Sequence, residues 1–222
     1  MYDCRKPLAL EGLAPISKGN LRLVYEHPDD RSLLVKVMRP DAVESRYRSS
    51  VRKRRFGEYV LFVREIHEYL AAHAAAGVDV PFAQVITGTV ETDLGLGLVT
   101  VAVRGPDGRL APTLADLIDH GNYTPEAQAA FEEFIRGMLA CDMVLSDLHE
   151  RNLVYAHEEG KPRRFVMIDG IGDSNFLPVK TWFPSINRRS KISRVARLRK
   201  RMALRETRRA AANPGYRPPD LG

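Results

Sequence analysis

Hydrophobic positions recur with a period of two, then of three to four, then of two again, and these shifts mark out the elements of the chain. Residues 8–27 predict an antiparallel start: Leu21, Leu23 and Tyr25 alternate with Arg22 and Val24, and Ser17-Lys18-Gly19-Asn20 supplies a turn. Pro28-Asp29-Asp30 is a second turn, followed by the buried-strand pattern of Ser32 to Met38. Arg46, Arg48, Arg52, Lys53, Arg54 and Arg55 then crowd a stretch that reads as an exposed loop or a ragged helix start. From Glu58 the period lengthens. Tyr59, Phe62, Val63, Ile66, Tyr69 and Leu70 fall on one helix face, extended by Ala71 to Ala76 and stopped by Gly77. Residues 83–104 return to strands, with a hairpin tip across Glu91 to Gly97.

The second half is mostly helical. Thr113 with Asp116 three residues on marks the start of a short helix, Leu114 to His120. Thr124 before Pro125 is an N-cap with proline at the first helical position. Phe131, Phe134, Ile135, Met138 and Leu139 carry that helix to Cys141. Short strands at 153–155 and 165–168 bracket a turn from Glu158 to Lys161. Ile192, Val195, Leu198 and Met202 sit at helical steps, and Pro214, Pro218 and Pro219 mark a frayed end. This order predicts an α+β chain in two lobes. The N-lobe is expected over about 8–104, the C-lobe over about 105–187, and a basic helix and tail over 188–222.

Composition changes the picture little. Hydrophobic residues at 44% and charged residues at 28% exclude wholesale disorder in the 222 residues. No apolar run approaches the roughly 20 residues of a membrane helix, and Met1 to Leu10 lacks an apolar core of signal-peptide length. With Cys4 and Cys141 the only cysteines, a disulfide framework and a zinc cluster are both excluded. The expected compartment is the cytoplasm.

Charge matters more. Eleven Lys or Arg and one acid, Glu206, lie between Arg188 and Arg209, so that segment carries +10 and the other 200 residues −4, against +6 for the chain. Such a tail is expected to attract polyanions or an acidic membrane surface in a salt-sensitive way. Base-specific recognition is not expected, because no reading helix and little aromatic interleaving accompany the charge. The tail reads as an appendage peripheral to the chemistry; the competing arrangement packs Ile192, Val195, Leu198 and Met202 onto the second lobe.

The chemistry concentrates in Leu145-Ser146-Asp147-Leu148-His149-Glu150-Arg151-Asn152-Leu153. Phosphoryl transfer needs a carboxylate to orient the attacking hydroxyl and oxygen ligands for magnesium. Asp147 and Asn152, five residues apart, can supply the first and part of the second. Alone the spacing is weak, with roughly one chance match in every two chains of this length. What strengthens it is Ile168-Asp169-Gly170, a second carboxylate at the end of an apolar strand, although an Asp-Gly pair also makes an ordinary turn. Lys36 lies inside an apolar strand, where a lysine needs a partner unless it faces solvent from an edge. Glu65 on the following helix is the expected partner for Lys36, with Glu58 and Glu68 as competitors. For the loop over the phosphates only Gly19 is available, preceded by Ser17 and Lys18. His149 is a ligand or phosphate contact, or a loop histidine satisfied by a backbone carbonyl. Cys141 reads as core, Arg104 and Arg109 as solvated, and Trp182 as a packing anchor.

Strand lysine, helix glutamate, catalytic loop and metal aspartate occur here in the order of the protein-kinase-like fold, which the chain resembles over roughly Leu8 to Phe183. Leu145-Ser146-Asp147 stands where protein kinases have His-Arg-Asp, and Asp169-Gly170-Ile171 where they have Asp-Phe-Gly. No Ala-Pro-Glu follows, and the Asp-Leu-His-x-x-Asn wording is closer to small-molecule kinases of the aminoglycoside-phosphotransferase type. Gly88-Thr89-Val90-Glu91-Thr92-Asp93 with Gly95 and Gly97, and Asp169-Gly170-Ile171-Gly172-Asp173-Ser174 with Leu177-Pro178 and Thr181-Trp182, resemble the bacterial PhoP regulatory network protein family, the YrbL-like proteins. The resemblance implies a kinase-like fold with a reduced C-lobe and no assigned substrate.

The expected cofactors are ATP and Mg²⁺. Gly19, Lys36 and Glu65 would serve the nucleotide, Asn152 and Asp169 the metal, and Asp147 the acceptor hydroxyl. The acceptor is unidentified, a small molecule being favoured over a protein. The alternative is a non-catalytic, pseudokinase-type module of a bacterial stress or magnesium-response network.

Overall fold

The computed structural model describes residues 7–41, 55–77, 80–173, 180 and 183–212. The basic residues 46–54, Ser174, Leu177-Pro178 and Thr181-Trp182 lie outside the described residues. The α+β expectation holds. Strands β1 (Ser17–Lys18), β2 (Arg22–His27) and β3 (Asp30–Met38) come first, then helix α1 (Val60–Ala76), then β4 (Ile86–Thr92) and β5 (Gly95–Val101). The five strands form one antiparallel sheet in the order β1-β2-β3-β5-β4.

Alternation along β3 decides which side chains meet which layer. Val35 and Val37 join Leu8, Leu10, Tyr25, Val90 and Val99 on one face of the sheet. Met38, on the opposite face, packs with Leu98 against Phe62 of α1. Lys36 shares the parity of Met38 and is therefore directed inward, so the solvent-facing alternative for this lysine does not hold. The hairpin tip narrows to Asp93-Leu94 between β4 and β5, and the Asp93 carboxylate accepts from the backbone N–H of Leu10 at 2.8 Å and Glu11 at 3.0 Å.

Helix α1 departs from its sequence pattern. Its buried residues are Val60, Phe62, Glu65 and Glu68, whereas Leu70 is 59% exposed and Val63 also faces out. The helix buries two carboxylates where the periodicity placed apolar contacts, because the surface it covers is the polar junction between the lobes.

The second lobe is built on α2 (Leu114–Asp119), α3 (Pro125–Ala140), the hairpin β6 (Leu153–Ala156) and β7 (Arg164–Met167), and α4 (Pro184–Ala212). Thr113 and Asp116 form the expected capping box, and Thr124 caps α3 with Pro125 following. Phe131, Phe134, Ile135, Met138, Leu153, Phe165 and Met167 make the core. Val195, Leu198 and Met202 of α4 enter the same core, with Leu198 wholly buried. The appended-tail expectation is therefore corrected. The helix begins at Pro184 rather than 188 and is a structural wall of the lobe, although Ile192 remains 52% exposed.

Candidate functional site

At the junction of the lobes the strand lysine, the helix glutamate and the two loops come together, but with different partners from those expected. Lys36 Nζ donates to Gln84 Oε1 at 2.8 Å and to the Ile168 carbonyl at 2.6 Å. Lys36, Glu65, Tyr69, Gln84, Thr100 and Ile168 line a narrow cavity between sheet and α1. Burial pushes the Lys36 ammonium below its ordinary range, against the pull of Glu65.

Glu65 does not pair with Lys36. Its Oε1 accepts from Arg22 Nη1 at 2.5 Å, and Nη2 of the same guanidinium bonds Asp169 Oδ1. Both Arg22 and Glu65 are buried. The two carboxylates hold Arg22 firmly protonated although its burial opposes the charge. Burial alone would raise the Asp169 carboxyl; Arg22 and then Lys36 outweigh it and hold it below the usual range. Of the competing acids, Glu68 is spent on the backbone, its Oε1 accepting from Val144 N–H at 2.5 Å, and burial raises its carboxyl. Glu58 lies in the 3₁₀ turn before α1.

The Asp147 and Asp169 loops are zipped together. Ser146 N–H and Asp147 N–H both donate to the Gly170 carbonyl, at 2.8 and 3.1 Å, and Leu145 bridges Ile171. Gly170 has φ +82°, and a Cβ there would meet the Asp147 carbonyl oxygen at 2.4 Å. Only glycine permits this approach. The Asn152 amide nitrogen donates to the Asp147 carbonyl at 3.1 Å and to Asp147 Oδ2 at 3.4 Å, so these two bonds use the nitrogen and not the oxygen of the amide. Asp147 itself is exposed.

Helix α4 fixes this loop from behind. Arg194 Nη1 bonds the Ser146 carbonyl, and Arg201 Nη2 bonds that of Leu148 at 2.5 Å, so the carbonyls on either side of Asp147 are both held by arginines of the basic helix. Arg201 Nε also reaches the buried Glu150 at 3.0 Å. Lys191 caps α3 by donating to the carbonyls of Met138 and Cys141.

Gly19 forms part of the β1–β2 turn, its N–H donating to the Arg22 carbonyl at 2.9 Å and its carbonyl held by Arg39. Its backbone does not require glycine. His149 Nδ1 accepts from Arg151 N–H at 3.3 Å and lies 3.4 Å from Glu150 Oε2, so its backbone partner is an N–H rather than the expected carbonyl. Cys141 packs at the edge of the core. Arg109 is exposed, but Arg104 is not simply solvated: it bonds the carbonyls of Arg31 and Gly108.

Sequence reasoning missed Arg22, Gln84, Arg194 and Arg201. Arg22 stood in a strand pattern as a polar alternate of Leu21 and Leu23, and its sharing a parity with the apolar Val24 was its one available signal. Among the described residues no three His, Cys, Asp or Glu side chains converge on a single point. In donor type Asn152 and Asp169 would suit a divalent ion, since both offer oxygen. One Asp169 oxygen is already engaged, by Arg22 and by Gly170 N–H.

A double mutant of the Mycobacterium tuberculosis PknI kinase domain matches with a TM-score of 0.43 at 15% identity, over 70% of this chain; the chain spans 56% of that structure's length. In sequence, the chain is 23% identical over 180 residues to the "Uncharacterized protein YrbL" of Escherichia coli (strain K12), covering 79% of this chain and 78% of that protein. The protein so described in Shigella flexneri matches to the same extent. The model of the family described as PhoP regulatory network protein YrbL matches residues 8–203, from the first strand-forming segment well into α4, and the chain belongs to that family.

Proposed function

We propose that the chain is a kinase-like phosphotransferase that binds ATP with Mg²⁺ between its lobes and acts on a small-molecule hydroxyl in the cytoplasm. The observation that supports this best is the junction of Asp147, Asn152 and Asp169 through Gly170, directly beneath a strand lysine bonded to the residue before Asp169. Asp147 accepts the proton of the acceptor hydroxyl as its oxygen attacks the γ-phosphorus. The bond to the β-phosphate oxygen breaks, and ADP leaves with the electron pair. Bound magnesium, held by Asn152 and Asp169, supplies charge neutralisation at the phosphates. The protein's own contribution is positioning.

A thermal-shift panel of nucleotides with and without Mg²⁺ tests binding, because a ligand of the folded state raises the melting temperature by mass action. Phosphate transfer or ATP hydrolysis that falls at least a hundredfold in Asp147→Asn would support chemistry. Turnover unaffected by that change would refute the role of Asp147.

The second reading, a non-catalytic regulatory module, is favoured by one specific feature: Lys36 is bonded within the protein and one Asp169 oxygen is held by Arg22. No nucleotide-dependent stabilisation at millimolar ATP would favour it.

A further inference from the structure

We infer that Arg22 is a resident cation that competes with a divalent metal for Asp169, so that metal enters this site only when the Glu65–Arg22–Asp169 bridge opens. The inference deepens the reading of Asp169 as the metal-facing carboxylate and rests on it.

Three observations carry it. Arg22 is the first residue of β2, buried, and its two terminal nitrogens are divided between carboxylates from different parts of the fold: Glu65 of α1 and Asp169 of the second lobe. The bridge therefore ties sheet, helix and metal-loop aspartate together. Second, Asp169 Oδ1 receives both Arg22 and the N–H of Gly170, yet 44% of the side chain is exposed, so the carboxylate is anchored on one side and open on the other. Third, the strand lysine cannot take over Glu65, because Lys36 is held by the neutral oxygens of Gln84 and Ile168.

The electrostatics follow. A guanidinium in contact with Asp169 lowers the negative potential that a dication would meet there, and two cations within a few ångströms, one of them the buried Arg22, repel each other. Arg22 satisfies two carboxylates as long as the metal is absent. A dication on Asp169 forces one arm of that bridge to release, leaving Arg22 on Glu65 alone. The bridge is thereby a latch whose opening is linked to metal binding, and by the same linkage metal binding loosens the contact between β2 and the Asp169 loop.

Manganese supplies the probe. Free Mn²⁺ is followed by electron paramagnetic resonance in titrations of the full chain without nucleotide, comparing the wild type with Arg22→Gln, Arg22→Lys and the double variant Arg22→Gln/Asp169→Asn. Arg22→Gln is expected to bind Mn²⁺ at least tenfold more tightly than the wild type, and the double variant to lose that gain. Equal affinity in wild type and Arg22→Gln, or a gain that survives Asp169→Asn, would overturn the latch. If Arg22→Gln does not unfold cooperatively, Arg22→Lys decides: an ammonium lacks the two-armed guanidinium fork and bridges the two carboxylates less well, so a gain of several-fold is expected and no gain overturns the inference. Thermal shifts with ATP alone, run on the same samples, judge the nucleotide reading separately. Their absence would reject that reading while the Mn²⁺ titrations still decide the latch.

Discussion

Gly170 is where a single hydrogen atom in place of a methyl group holds two loops together. A methyl at this position would collide with the Asp147 carbonyl, and φ +82° is itself unfavourable for any residue with a side chain. Gly170→Ala is expected to cost about 2–4 kcal/mol, read as a lower urea midpoint, and to separate the Asp147 and Asp169 loops. Lys36 makes the opposite kind of prediction. Its burial lowers the ammonium from 10.5, so between the folded value and 10.5 the unfolded chain binds more protons and stability rises with pH. Lys36→Met should flatten that rise in denaturation midpoints taken from pH 8 to 10.5, leaving the part due to Lys191, which burial also lowers. Unchanged slope in the variant would mean that the lysine is not desolvated. At pH 7 the variant should be no less stable than the wild type by more than about 1 kcal/mol, since a well-packed apolar side chain replaces a costly buried charge.

Among the elements, α4 carries the most consequence for its sequence. Its inner face contributes Val195, Leu198 and Met202 to the main core, and its arginines hold the carbonyls flanking Asp147. Deleting everything after Arg188 is therefore expected to abolish cooperative unfolding by circular dichroism. Leu198→Ala should destabilise by about 2–5 kcal/mol, in the range of large-to-small core changes. Ile192→Ala, on the exposed side, should stay within about 0.5 kcal/mol. Similar losses at both positions would contradict the inner and outer faces described.

For the molecule as a whole, charge is sorted by direction as well as by sequence. Arg194, Arg201 and Arg205 of α4 turn toward the lobe and are bonded there, whereas Arg189, Arg197, Lys200 and Arg208 face outward. If the basic helix contacts polyanions, it does so with this outer set. Reversing Arg197, Lys200 and Arg208 to Glu should abolish retention on heparin or acidic vesicles without lowering the melting temperature by more than a few degrees. In the wild type that retention should fade as salt rises past about 0.2 M. Retention that survives the triple reversal would assign the contact to another surface. No helix among the described residues is long and apolar enough to cross a membrane, so any vesicle contact of theirs by helix would be peripheral.

Local chemistry was legible in the residues themselves. The Thr113 and Thr124 caps, the Gly77 stop, the β4–β5 hairpin and the Asp147 to Asn152 loop follow from neighbours in sequence, because capping, turn geometry and periodicity act over a few residues. Lys36, Glu65, Asp147, Asn152 and Asp169 were likewise identifiable as chemistry-bearing groups near one another. Their pairing was not. Arg22 and Glu65 are 43 residues apart and Arg22 and Asp169 are 147 apart, and which cation reaches which carboxylate depends on how sheet, helix and loop are stacked. The same holds for α4: its apolar spacing was visible, but a basic helix reads as solvated until the buried Glu150 and the loop carbonyls that its arginines satisfy are brought against it. Sequence determined the parts and their order, through forces that act between neighbours. Only the tertiary structure decided the partners of the buried charges, because desolvation makes each of them find a counter-charge or a carbonyl wherever packing offers one.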